Sequence, residues 1–235
     1  MLALVALAAA GCGGDSSSSG TTTTAPTEQM TVKAYFLRGG LVSPAHVRVG
    51  RTRDVARASL EALVAGAPAG FETELPKDID DFDVSIEDGT AGLTLHEADE
   101  LTPAARAEIV YTLTQFPTVR RVRIGDEPAL TRGDLEEQTP IILVESPVSG
   151  DAVTSPLRVS GTANTFEATL QLRLVQDGRK LYEHFVTATS GSGQRGTFEW
   201  EIPYTATGPA TLEAFEYSAA DGSETHKISI PIRLR

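Results

Sequence analysis

The sequence is short of cysteine, of positive charge and of long apolar runs. Its 235 residues contain one cysteine, Cys12, which excludes an internal disulfide bond and any zinc site built from several cysteines. Lysine and arginine number 20 against 32 aspartates and glutamates, so the formal net charge is −12. Because a chain of this charge is repelled by phosphates, we expect no nucleic acid among its partners.

The apolar run at residues 2–10, "LALVALAAA", is too short to span a bilayer, which takes about 20 residues. Its length fits the hydrophobic part of an export signal. The following "AAGC" resembles a bacterial lipobox, which implies cleavage before Cys12 and a diacylglycerol on its thiol. No lysine or arginine precedes the run, so we expect the signal to begin upstream of Met1. We therefore predict a lipoprotein signal peptide over residues 1–11 and lipidation of Cys12.

Residues 12–29 predict a disordered tether. They include "SSSSG" and "TTTT" and are too polar to bury apolar surface. A flexible chain of this kind would hold the folded part a short distance from its anchor. The expected location is the cell membrane, lipid-anchored on the extracytoplasmic side.

Residues 30–137 predict a small α+β domain with the element order β-β-α-β-β-α-β. The pattern of "TRDVARASLEALVAGAP" is helical, with Thr52 as the expected cap. A second helix is expected after Thr102, with Pro103 in its first turn. Asp88-Gly89 predicts a hairpin turn between two strands. We expect a small sheet with the two helices on one face.

Residues 138–235 predict an all-β domain. Apolar and polar residues alternate in short segments such as "TLQLRLVQ" and "TFEWEIP". The pairs Asp177-Gly178 and Asp221-Gly222 predict turns between strands. About seven strands favour an immunoglobulin-like sandwich that lacks the usual disulfide. The polar stretch at residues 131–140, which ends in proline, is expected to be a linker.

Two resemblances agree with this division. The segments "VKAYFLRGG", "ARASLEALVAGAP", "VSIEDGTAGLTL" and "IVYTLTQFPTVRRVRI" resemble the GerMN domain of bacterial sporulation and germination proteins. The segments "FVTATSGSGQRGTFEWEIPY" and "EAFEYSAADGSETHKISIPI" resemble the immunoglobulin-like domain of bacterial spore germination. The resemblance implies an assembly or scaffolding role in proteins that are frequently lipoproteins of Gram-positive bacteria. It supplies no catalytic residues.

The histidines offer no metal or catalytic pattern. They are far apart in sequence, and none belongs to a His-x-x-x-His or His-Glu-x-x-His motif. Isolated positions near the surface are the favoured interpretation, against metal ligation or general base catalysis. The four residues are His46, His96, His184 and His226.

Charged clusters are the remaining candidates for a site. The acidic loop of Asp78, Asp80, Asp81 and Asp83 lacks the glycine and distal glutamate of a calcium loop, so a solvated loop is favoured and weak metal binding stays open. Glu199 and Glu201 alternate with core residues and should face solvent. The basic run at 120–123 is interpreted as a strand edge that discourages aggregation, the alternative being a contact for anionic wall polymer.

The sequence therefore predicts a membrane-anchored binding or scaffold protein of sporulation, germination or cell-envelope maintenance. No enzyme activity, cofactor, metal or catalytic residue is predicted. The expected partners are the membrane, through the lipid on Cys12, and envelope proteins or wall polymer, while self-association stays open. The alternative is an enzyme that acts on cell-wall polymers and uses the β-sandwich for targeting. That alternative requires a cleft with clustered titratable groups in the first domain.

Overall fold

The computed structural model describes residues 28–77, 79, 81–96 and 100–235. The predicted signal peptide, Cys12 and all but the end of the predicted tether lie outside these residues, as do Asp78 and Asp80 of the acidic loop. Within the described ranges, the helices are all too short or too polar to cross a membrane.

The first module has the predicted element order. Its strands and helices are β1 (Gln29–Arg38), β2 (Leu41–Gly50), α1 (Val55–Val64), β3 (Phe82–Glu87), β4 (Thr90–Leu95), α2 (Pro103–Thr114) and β5 (Arg121–Ile124). The strands form two sheets, an antiparallel β1-β2 hairpin and a three-stranded sheet in the order β3-β4-β5. In the second sheet β4 is antiparallel to β3 and parallel to β5.

One apolar core joins both sheets to the helices. Phe36 of β1, Leu60 of α1, Leu93 of β4 and Ile109 of α2 are all fully or almost fully buried in it. The same core includes Leu143, which belongs to the second module. The apolar interior of the first module therefore continues across the boundary between the modules.

The helix caps agree with the prediction at α2 but not at α1. Thr102 caps α2, because its Oγ1 accepts a hydrogen bond of 3.1 Å from the Ala105 backbone N–H, and Pro103 follows. At α1 the cap is Asp54, whose carboxylate accepts from the Arg57 backbone N–H at 3.1 Å. The predicted cap, Thr52, instead accepts from the Asp54 backbone N–H. The carboxylate lies one residue before the first helical turn, where N-cap side chains reach the free N–H groups.

The second module is the predicted immunoglobulin-like sandwich. Its strands are β6 (Ile142–Ser146), β7 (Ala152–Val153), β8 (Leu157–Ala163), β9 (Thr169–Gln176), β10 (Arg179–Thr187), β11 (Gly196–Ile202), β12 (Gly208–Tyr217) and β13 (Glu224–Leu234). One sheet has the order β10-β9-β12-β13-β7 and the other the order β11-β8-β6. An α+β domain followed by an all-β sandwich is thus the fold class of the chain.

The sandwich core follows the alternation seen in the sequence. Leu170, Leu172 and Leu174 of β9 are fully buried, and they face Phe198 and Ile202 of β11. Asp177-Gly178 turns β9 into β10 with positive φ at both residues, as a two-residue hairpin requires. Local pattern and turn chemistry therefore determine this module.

The connection between the modules is ordered rather than a plain linker. It contains a 3₁₀ helix at Arg132–Gln138. Leu135 is buried. The Thr139 hydroxyl shares a hydrogen bond of 2.8 Å with the buried Tyr111 hydroxyl of α2. The connection is therefore packed against the first module.

Candidate functional site

The candidate functional residues lie where the two modules meet. The β1-β2 hairpin and the connection contribute from one side, and β6, the β6–β7 loop and β13 contribute from the other. We call this surface the interdomain site. It contains a charge cluster, an arginine clamp on the connection and an apolar cavity.

Arg132 is at the centre of the charge cluster. Its guanidinium lies 4.5 Å from the ring centroid of Tyr111 and 5.5 Å from that of Tyr35, and it forms an ion pair with Glu145 of β6. Its Nε also donates to Thr114 Oγ1 at 2.8 Å. Burial lowers the pKa of Arg132, but the interactions with Glu145, Tyr35 and Tyr111 together outweigh this effect, so the net pKa is raised. The charge pair therefore holds β6 against α2 and β1.

Lys33 and His46 are the other basic residues of the cluster. They are paired directly across the β1-β2 hairpin and share one face of it. The His46 Nδ1 atom lies 2.9 Å from Asp151 Oδ1, in the loop before β7. Burial lowers the pKa of Lys33, and the Glu145 carboxylate partly offsets this effect. Three basic side chains of the first module and the connection thus face two carboxylates of the second module.

Arg195 clamps the connection to the β-sandwich. Its Nε donates to both Glu136 carboxylate oxygens, at 2.9 and 3.0 Å, and its Nη2 donates to the Pro140 carbonyl at 2.7 Å. Asn164 donates a further bond of 3.1 Å to Glu136. Burial alone raises the pKa of Glu136, but these hydrogen bonds outweigh it and the net pKa is lowered. Both ends of the connection are therefore fixed by buried or half-buried polar contacts.

An apolar cavity of about 120 Å³ lies beside the charge cluster. Its wall comes from both modules, with Val42 and Phe71 on one side and Leu143, Val148 and Ile230 on the other. A cavity lined in this way favours an apolar group, or an amphiphile with its polar end at the rim.

The predicted histidines do not converge. His46 contacts Asp151, His96 lies 3.2 Å from Asp83, and the Nδ1 atom of His226 lies 2.6 Å from Glu216. His184 packs between the rings of Phe185 and Trp200 at 4.9 and 5.1 Å. Three or more potential metal ligands do not cluster anywhere in the described residues. The four side chains therefore form separate local contacts.

The other predicted clusters are also distributed. Of the acidic loop, Asp81 accepts a hydrogen bond from the Phe82 backbone N–H, and Asp83 contacts His96. Glu199 and Glu201 face outward on β11, as expected from the alternation. The basic run continues into β5, which lies at one end of its three-stranded sheet. The interdomain site uses none of these residues.

Glu108 of α2 is a buried carboxyl group that the sequence did not reveal. It is inaccessible to solvent, and its Oε2 accepts a hydrogen bond of 3.0 Å from the Glu74 backbone N–H. Its Oε1 has no partner among the described atoms. Burial raises the pKa of Glu108 from 4.5 to about 7, although the Glu74 N–H acts in the opposite direction.

Glu108→Gln is expected to stabilise the protein above pH 7. Since the folded-state pKa is raised, the unfolded chain releases this proton first, and stability falls as pH rises from about 4.5 to about 7. A shift of this size corresponds to roughly 3 kcal/mol at most. Urea unfolding at pH 5, 6, 7 and 8 should give a gain for the variant that grows with pH and levels off. Glu61→Gln, at an exposed position of α1, is the matched control, and a gain that is equal at every pH would contradict the expectation.

The interdomain site can hold the two modules together and can accommodate an apolar group in its cavity. Its residues come from separate segments of the chain. Arg132 contacts the rings of Tyr35 and Tyr111, which precede it in the chain, and pairs with Glu145, which follows it. The sequence offered one signal only, an arginine in an otherwise acidic connection that looked like a linker. The fold and the site thus define a two-module protein, an α+β domain docked on an immunoglobulin-like sandwich.

The particular family follows from sequence comparison. Residues 33–125 match the family described as sporulation and spore germination, and residues 141–223 match the immunoglobulin-like domain of bacterial spore germination. The chain therefore contains one domain of each of these two families, which confirms the resemblance seen in its sequence. A search of curated proteins finds no match.

Solved structures show more distant similarity. The tandem GerMN domains of the sporulation protein GerM from Bacillus subtilis share 16% identity with a TM-score of 0.38, over 75% of this chain and 62% of that one. An engineered protein shares 13% with a TM-score of 0.32, over 48% of this chain and 21% of that one. CopC from Methylosinus trichosporium OB3b shares 15% with a TM-score of 0.29, over 40% and 92%. The chain thus spans less than two thirds of the first two structures.

Proposed function

We propose that this protein is a lipid-anchored, extracytoplasmic binding or scaffold protein that acts in sporulation, germination or maintenance of the cell envelope. The observation that carries the proposal is that one chain contains a sporulation and spore germination domain and an immunoglobulin-like domain of bacterial spore germination. Their packing around the interdomain site supports a role in which both modules are presented together to a partner. The proposed partners are envelope proteins or wall polymer.

Anchoring through Cys12 is the part of the proposal that rests on the N-terminal sequence. The apolar run and "AAGC" support it. A lipid anchor would confine the modules to the membrane surface and raise their local concentration for partners there. The acidic folded part would stay in solution beside that surface because anionic headgroups repel it.

Cys12→Ser is expected to move the protein from the membrane to the soluble fraction. The measurement is membrane fractionation of the source bacterium, with mass spectrometry of the N-terminal peptide. The native protein should begin at Cys12 with a diacylglycerol attached, and Ser16→Ala should behave like the native chain. An unmodified thiol together with an intact leader would contradict the anchoring.

A pull-down from envelope fractions separates the scaffold role from the enzymatic alternative. The purified full chain should retain a defined set of envelope proteins or wall polymer and should release no soluble fragments from purified cell wall. Fragment release that persists after extensive purification would favour the enzyme. Recovery of neither protein nor polymer would count against a binding role.

A further inference from the structure

The apolar cavity of the interdomain site has one charged group at its rim. Within the described residues, Arg38 is the only ionisable side chain that lines it. The other polar side chains of the wall are the hydroxyl groups of Ser43 and Ser149. The remaining wall is aliphatic, aromatic or proline. The cavity is therefore apolar inside and has a cation at one point.

Arg38 has no carboxylate partner in the part of the chain that the structure describes. Its guanidinium lies 4.4 Å from the ring centroid of Phe71, so the arginine is held against the cavity wall by a cation–π contact. Arg38 is exposed, and its guanidinium donates no hydrogen bond to a side chain or backbone group of the described residues. In a chain of net charge −12, an arginine that is oriented by an aromatic ring and not paired with an acid is available to an anion.

The size of the cavity limits the apolar part of a ligand. Its volume of about 120 Å³ is close to that of the engineered cavity of about 150 Å³ that takes up benzene, a six-carbon molecule. A long acyl chain does not fit in such a volume. A branched or linear aliphatic group of about six carbons does.

We propose that the interdomain cavity binds a short aliphatic carboxylate, with the hydrocarbon between the modules and the carboxylate on Arg38. Charge complementarity selects an anion, and the single guanidinium matches a carboxylate in bidentate geometry. The ligand would contact Phe71 of the first module and Val148 and Ile230 of the second. Binding therefore favours the docked arrangement of the two modules. This inference goes beyond the proposed function and does not depend on the lipid anchor or on an envelope partner.

The test is a titration followed by two-dimensional NMR of the full chain carrying Cys12→Ser, which removes the thiol of the proposed lipid anchor. The probes are hexanoate, 1-hexanol and hexylammonium. Hexanoate should bind saturably with shifts at cavity residues, about fivefold more tightly than hexanol, and hexylammonium should bind most weakly. No saturable binding, or equal binding of the three probes, would overturn the proposal.

Two variants separate the charge from the cavity. Arg38→Gln should remove the preference for hexanoate over hexanol and leave hexanol binding unchanged, while Arg48→Gln, at an exposed position of β2, should behave like the parent. Val148→Phe should fill the cavity and reduce binding of every probe. If a peptide with leucine beside aspartate binds and hexanoate does not, the small-molecule assignment is wrong. An unchanged preference in Arg38→Gln would also overturn it.

Discussion

Arg132→Ala is expected to lower the free energy of unfolding by about 4 kcal/mol, the usual cost of leaving one member of a buried ion pair without its partner. The side chain is only 25% exposed and Glu145 only 21%. The variant loses the contacts with the Tyr35 and Tyr111 rings and leaves the Glu145 carboxylate facing a half-buried surface. Urea unfolding followed by fluorescence and circular dichroism measures the loss. The two modules should then unfold in separate transitions.

A double-mutant cycle shows whether the loss comes from the ion pair. Arg132→Ala combined with Glu145→Ala should be less unstable than the sum of the two single variants, because the unpaired charge is gone. Arg158→Ala removes an exposed arginine that pairs with Glu201 and should cost less than about 1 kcal/mol. A cost for Arg132→Ala that equals this control would show that Arg132 does not hold the interface.

Arg173→Ala is expected to destabilise the β-sandwich by about 3 kcal/mol. Arg173 of β9 donates to Glu183 at 2.6 Å, to Glu213 at 3.1 Å and to Glu224 at 2.6 Å. Its guanidinium also lies 4.3 Å from the ring centroid of Phe215, which is fully buried beneath it. Without the arginine, three glutamates repel one another across neighbouring strands. Thermal and urea unfolding measure the loss.

The pH dependence of stability in Arg173→Ala shows whether the loss comes from the ion pairs or from packing on Phe215. Hydrogen bonds from Arg173 lower the pKa of Glu183 and of Glu224, so their contribution to stability is present at neutral pH and is lost as pH falls through the lowered folded-state pKa values. The difference between parent and variant should therefore be largest near pH 7 and shrink toward acidic pH. Arg173→Lys keeps the charge but not the three-way geometry and should lie between the two. A difference that does not change with pH would assign the loss to packing on Phe215 alone.

The sequence pattern predicted the strands and turns that depend on neighbouring residues. The alternation of Leu170, Leu172 and Leu174 corresponds to a fully buried face of β9. Asp177-Gly178 predicted a turn because two consecutive residues with positive φ are needed there. At α1 the sequence pattern predicted Thr52 as the cap, whereas the cap in the structure is Asp54, two residues further along the chain.

The interdomain site could not be predicted because it depends on contacts between distant segments. Nothing near Arg132 in sequence indicates that Tyr35 and Tyr111 lie beside it. Glu108 was hidden for a different reason. Its helix, α2, is buried on almost every side, so a polar residue there does not mark an exposed face. A cavity, finally, is a property of packing between modules and leaves no pattern in the chain.

Docking of the two modules is decided by ¹⁵N relaxation of the full chain carrying Cys12→Ser, compared between amides of residues 29–125 and of residues 141–234. A docked pair tumbles as one body, so we expect a single rotational correlation time for both ranges, the one expected for a particle of 24.9 kDa. Two different and shorter correlation times would mean that the modules move independently. In that case the interdomain charge cluster and the cavity would not exist in solution.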